Sequence, residues 1–305
     1  MSISAIILSV LGLCVFEVVS SLDNAVVNAD VLSTMGPKWR KWFLVWGIFF
    51  GVFLVRGMLP WLIIWCANPS VGPWGALAST FSNDPKIAHS LERSSPFLLL
   101  GGGIFLIFLF FHWLFLEPKN FGLSFERVVN RQRAWYYAII FIFLAVVAWL
   151  TVNHRPMMAF AASFGAGIFF ITHGLKERAV RIEAQMKNQK DMADLSKLIY
   201  LEVLDATFSI DGVIGAFAFT MSVPVIILGN GLGALVVREL TIKGVDRIRK
   251  YAYLKNGAMY SIFFLGIVMF LESFGTHIPY YIPPVITFLV IGFFFFKSKQ
   301  ESVTI

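Results

Sequence analysis

Charge is scarce in this chain. Only 14% of its 305 residues are Asp, Glu, Lys or Arg, against 58% hydrophobic and 16% aromatic. With a mean hydropathy of +0.76, that much apolar surface cannot be hidden in a water-soluble core, so the chain reads as a polytopic membrane protein. Period-2 alternation is also lacking, which excludes a transmembrane barrel and leaves helices as the spanning elements. Cysteine is nearly absent: Cys14 and Cys66 lie in apolar runs without C-x-x-C spacing, so neither a disulfide framework nor a thiolate metal site is indicated. No H-x₃-H pair occurs. His112, His173 and His277 lie in or at the ends of three different spans and read as interfacial or hydrogen-bonded residues. The N-terminus has no basic n-region or small-residue cleavage site, and its apolar run is expected to be retained as a first span.

What is present is an all-α pattern. Windows of about 20 residues place nine helices near 3–33, 42–66, 96–116, 135–152, 156–175, 197–221, 223–242, 257–272 and 280–296. The net charge of +7 does not indicate nucleic acid, because the basic residues are sorted by side. Clusters at 38–41, 119–133, 176–197, 243–255 and 297–299 fall in alternate connections, while Lys86, Arg93 and Arg155 lie opposite. The positive-inside rule then puts the N-terminus outside and the C-terminus in the cytoplasm. The external 67–95 connection, with Gly72-Pro73-Trp74, is expected on the membrane surface. The mixed charges of 176–197 read as a solvated helix.

Two segments carry acid inside apolar runs. Glu17, Ser21, Asp23 and Asn24 lie in the first span, and Glu202, Asp205, Ser209 and Asp211 in the sixth. They match: Ser21-Leu22-Asp23 answers Ser209-Ile210-Asp211, Glu17 answers Asp205, and Gly47-x₃-Gly51-x₄-Arg56 answers Gly229-x₃-Gly233-x₄-Arg238. Five spans separate the first helix from the sixth, so the repeat is inverted. Residues 1–305 then form one transmembrane domain, with halves of about 3–116 and 197–296 joined by helices over 135–175 and the cytoplasmic 176–197 segment. Inverted repeats with polar breaks point to a transporter whose site lies near the midplane. Ser, Asp and Asn compete with the helical ladder, so 20–24 and 209–212 are the expected unwound stretches. The paired glycines are expected to serve close helix packing.

Each buried charge costs about 2.5–3.5 kcal/mol at a helix centre, so five unpaired carboxylates would cost roughly 12–17 kcal/mol. Arg56 and Arg238, as gates or counter-charges, neutralise at most two of Glu17, Asp23, Glu202, Asp205 and Asp211. A divalent cation, protons, or both must supply the rest. Carboxylates, the Asn24 amide and the Ser21 and Ser209 hydroxyls are hard oxygen donors, suited to Mn²⁺, Mg²⁺ or Ca²⁺.

Several motifs together resemble the TerC family of integral membrane proteins, and within it the DUF475 branch. They are Glu17-x₅-Asp23-Asn24, Asp205-x₃-Ser209-x-Asp211 followed by Ala216-Phe217-Ala218, Leu254-Lys255-Asn256-Gly257 and His277-Ile278-Pro279. The resemblance covers about 10–80 and 195–295. It implies a bacterial inner-membrane protein of a superfamily associated with Mn²⁺ efflux and tellurite resistance, with Glu17, Asp23, Asn24, Asp205 and Asp211 as the acidic-motif positions. Gly212 stands where many relatives have Ser, which removes one hydroxyl ligand.

The leading expectation is therefore a non-enzymatic divalent-cation transporter, exporting Mn²⁺ with or without proton exchange. Its partners are the bilayer and the transported ion, with no permanent cofactor and no nucleic acid. The alternatives are a membrane scaffold in a stress response and an intramembrane aspartyl enzyme with Asp23 and Asp211 as its dyad.

Overall fold

A computed structural model describes residues 2–48, 50, 56–67, 69, 72–81, 85–153, 155–188, 193–243 and 251–302. Among them all regular secondary structure is helical, with no strand. The helices are α1 (Ile3–Ser20), α2 (Leu22–Ser33), α3 (Pro37–Ile48), α4 (Arg56–Ala67), α5 (Gly72–Phe81), α6 (Pro85–Leu116), α7 (Ser124–Asn130), α8 (Tyr136–Val152), α9 (Pro156–Asn188), α10 (Asp194–Ala216), α11 (Val223–Lys243), α12 (Leu254–Ser273) and α13 (Ile282–Ser302).

Seven of these are long and apolar enough to cross a membrane: α1, α6, α8, α9, α11, α12 and α13. This differs from the nine expected, for identifiable reasons. The expected span 3–33 is two helices, broken at Ser21, whose backbone N–H returns to the Glu17 carbonyl at 3.1 Å. Of the expected span 42–66, α3 and α4 are described, while residues 49 and 51–55 between them lie outside the described set. The expected span 197–221 falls on α10, where Glu202, Asp205 and Asp211 put more charge into one stretch than the other apolar helices carry. The 67–95 connection is itself largely helical, holding α5 and the first turns of α6.

The second expected unwinding does not occur. α10 continues unbroken through 209–212 to Ala216. Ser209 Oγ donates to the Asp205 carbonyl at 2.6 Å, so its hydroxyl bonds along the helix and opens no gap in the ladder. The two matched segments thus differ locally: α1 breaks and α10 does not.

The core is a layer of aromatic and aliphatic side chains around α6, which packs against α12 and α9. Consecutive glycines in α6 allow this. A Cβ at Gly101 would lie 3.1 Å from the Ala161 carbonyl of α9, and one at Gly103 would lie 3.0 Å from the Gly266 carbonyl of α12. Phe105 and Phe108 then meet Phe169 edge-on. The opposite surface is apolar too. α8 buries Tyr136, Ile140, Val147 and Thr151 and exposes Ile142, Trp149 and Leu150, as a lipid-facing helix does. α12 ends in a turn at Gly275, whose φ of 92° lies in the left-handed region that favours glycine.

Beyond the membrane end of α6, a polar clasp ties α7 to α12. Glu126 is fully buried and accepts from the Leu123 N–H at 3.0 Å and from Asn256 Nδ2 at 2.7 Å. Lys255 pairs with Glu117 at 2.7 Å. The Leu254-Lys255-Asn256-Gly257 motif is therefore this clasp. Lys119 lies over the Trp113 ring at 3.4 Å and donates to the Trp113 carbonyl. Burial pushes its ammonium down to about 8, although Glu117 and Glu126 oppose the shift.

Candidate functional site

α1 packs along α11 through a glycine seam. A Cβ at Gly229 would stand 2.5 Å from Leu13 Cβ, and one at Gly233 would stand 2.6 Å from Glu17 Cβ. This is the close-approach role expected of the pair. The seam fixes Glu17, in the last turn of α1, against the middle of the bundle, where it is fully buried.

Arg56, the first residue of α4, reaches the same point. Its Nη2 and Nε lie 2.7 and 3.1 Å from Glu17 Oε1, and its Nη1 lies 3.4 Å from Asp205 Oδ2 of α10. A guanidinium offers five donors in a planar fork, so one arginine can serve two carboxylates from different helices. Ser21 Oγ adds a bond to Glu17 Oε1 at 2.9 Å, and Asn24 Nδ2 one to Asp205 Oδ1 at 2.7 Å.

Arg238 of α11 extends the network. It donates to the Phe43 and Gly47 carbonyls at 2.5 and 2.6 Å, and its Nη2 stands 3.7 Å from both Glu202 Oε2 and Asp205 Oδ2. Gly47 leaves room for this: a Cβ there would collide with Glu202 and lie 2.5 Å from Arg238 Nη1.

Asp211 lies apart from these groups and pairs with Lys176 of α9. That partner corrects the charge balance. Lys176, counted in the cytoplasmic segment, is a third cation for the acidic set, so the deficit among the five carboxylates falls from three to two. The side chain of Asp23 lies outside the described residues. Near Lys176, the rings of His112 and His173 meet with centroids 3.8 Å apart at a tilt of 52°, and His173 Nε2 is 3.7 Å from Glu177 Oε1. Their sequence separation hid this pairing.

The structure therefore gathers Glu17, Ser21, Asn24, Asp205, Arg56, Glu202 and Arg238, while Asp211 belongs to a second ion pair. Among the described residues, no three His, Cys, Asp or Glu side chains form a ready metal-binding group. Several buried oxygens near the network nevertheless have no hydrogen-bond partner. They are Glu17 Oε2, Asn24 Oδ1 and both oxygens of Glu202; Asn28 of α2, Asn230 of α11 and Asp211 of α10 each bury one more such Oδ1. Asn28 and Asn230 escaped the reading of the sequence. A signal for Asn28 was present, since Ser21, Asn24 and Asn28 recur at the spacing of one helix face.

The family described as "Protein of unknown function (DUF475)" matches residues 22–304. The chain is also similar to an uncharacterized membrane protein of Rickettsia prowazekii, with 27% identity over 133 residues, 44% of this chain and 44% of that protein. The chain thus spans less than half the length of that relative in the match. No solved structure matches.

Proposed function

The chain belongs to the DUF475 family, and for this member we propose secondary transport of a divalent cation across a membrane, with Mn²⁺ as the favoured cargo, Mg²⁺ and Ca²⁺ as other candidates, and export as the direction. The observation that carries the reading is the meeting of Glu17 and Asp205, from α1 and α10, at one buried arginine beside carboxylate and amide oxygens that have no donor. Such groups are expensive in a membrane and are kept where an ion or proton passes. Oxygen donors of this kind suit hard cations.

In this reading Arg56 and Arg238 are tethered counter-charges. An arriving cation takes over the carboxylates that Arg56 bridges, and Arg56 returns when the cation leaves. Protons can discharge the same carboxylates, which permits cation–proton exchange. The resemblance to TerC proteins supports Mn²⁺ and export; the basic clusters support a cytoplasmic C-terminus. For the alternative of an aspartyl dyad, Asp211 pairs with Lys176, and the side chain of Asp23 lies outside the described residues.

The test is flux. Purified protein in liposomes is expected to move Mn²⁺ saturably, with Mg²⁺ and Ca²⁺ measured beside it, and Glu17→Gln is expected to abolish the flux. Absence of flux for all three ions would overturn the proposal.

A further inference from the structure

The connection between α6 and α8 is anchored on one side and bare on the other. In α7, Glu126 and Asn130 are four positions apart and so share the face turned to the bundle. Glu126 is the buried acid of the clasp with Asn256, and Asn130 Nδ2 donates to the Phe115 and Glu117 carbonyls at the end of α6, at 2.8 Å each. The other side of the helix carries Phe125, Arg127, Val128 and Arg131, all exposed. Val128 is 60% exposed, and Phe121 before the helix and Trp135 after it are exposed as well. Apolar beside basic side chains on the open face of a fixed helix are the pattern of a segment lying in a membrane interface. The placement agrees: the apolar span of α6 ends at Leu116 and the next begins at Arg133, so both ends of α7 are tethered to the same face of the bilayer.

Charge is the second observation. Among the described residues, Arg127, Arg131 and Arg133 form no ion pair; Arg133 Nη2 donates to Asn130 Oδ1 at 3.3 Å. The neighbouring acids are already engaged, Glu126 in the clasp and Glu117 with Lys255 at 2.7 Å. We propose that residues 121–135 form a binding site for anionic phospholipid, the arginines taking the headgroup phosphate and the apolar side chains entering the acyl boundary. A guanidinium fork matches phosphate geometry, and each basic residue at an anionic membrane surface adds affinity. Because the clasp joins α7 to α12, lipid held on α7 stabilises the packed bundle. This site is separate from the carboxylates of the transport reading and does not depend on it.

The experiment is thermal unfolding of the purified full chain in detergent at rising mole fractions of phosphatidylglycerol, with phosphatidylcholine as the neutral comparison. Phosphatidylglycerol is expected to raise the midpoint of wild type and phosphatidylcholine is not. At roughly fivefold in affinity per basic residue, Arg127→Gln, Arg131→Gln and Arg133→Gln together should raise the half-effective fraction roughly tenfold or more. Phe125→Ser with Val128→Ser should raise it too, whereas Lys38→Gln with Lys41→Gln, on another connection, should not. Equal half-effective fractions in wild type and the triple variant overturn the proposal, as does equal stabilisation by the two lipids. An equal rise in the Lys38 and Lys41 variant also overturns it, because general surface charge would then suffice. Unchanged binding in the Phe125 and Val128 variant, or equal stabilisation by glycerol phosphate, overturns the membrane as the source of the phosphate. If the triple variant does not fold, Arg131→Gln alone decides, with a rise of roughly fivefold expected.

Discussion

Arg56 meets Glu17 through two nitrogens on one oxygen: Nη2 at 2.7 Å and Nε at 3.1 Å both address Oε1, and Oε2 is left without a donor. The guanidinium therefore neutralises the carboxylate without saturating it. Removing Arg56 strands two buried acids, and breaking a buried pair costs about 3–5 kcal/mol. Arg56→Gln is expected to lower the thermal midpoint in detergent, and Mn²⁺ is expected to raise the midpoint of this variant by more than it raises that of wild type. A Mn²⁺ effect no larger than in wild type would show that the cation does not replace the arginine.

Glu17 and Asp205 share that arginine and are expected to be coupled. In a double-mutant cycle with Glu17→Gln and Asp205→Asn, the stability effects should depart from additivity by about 0.5–3 kcal/mol. Additive effects would mean that Arg56 serves only one of them.

Asp211 and Lys176 form a separate pair, so their cycle should be independent of the first. Lys176→Met is expected to destabilise by about 1.5–3 kcal/mol, and adding Asp211→Asn should recover part of the loss. The check is thermal unfolding of the single and double variants, and failure of the second substitution to restore stability would break the pairing.

Lys119 supplies a pH dependence. The unfolded chain keeps this proton up to about 10.4, whereas burial makes the folded chain release it above about 8. Between those values the unfolded state binds more protons, so this group's contribution to stability rises with pH and is flat below about 8. Comparing the thermal midpoints of wild type and Lys119→Met from pH 7 to 10 should show wild type gaining on the variant above pH 8. A constant difference would put Lys119 at an ordinary value.

The residue types of the site were legible in the sequence, and their partners were not. Glu17, Asp205, Arg56 and Arg238 stand out because charge in an apolar run is costly. Which arginine meets which acid depends on crossing angles that no periodicity encodes. Lys176 was counted with the cytoplasmic charges because it follows the apolar run of α9, yet a lysine stem is long enough to reach back along the helix. The expected break at 209–212 rested on Ser and Asp as helix competitors, but Ser209 spends its hydroxyl on the Asp205 carbonyl. His112 and His173 are 61 positions apart, and only the packing of α6 on α9 brings their rings together.

Gly212 and Glu17 also constrain each other across related sequences. The space that a side chain at 212 would need is taken by the Glu17 carboxylate, so the two positions should covary. A relative with serine at the position of Gly212 should carry a shorter acid, such as aspartate, or a redirected one at the position of Glu17. Where both a serine and a glutamate occur, α1 and α10 must stand farther apart, and the glycines that set the spacing of α1 on α11 should be replaced by larger residues as well.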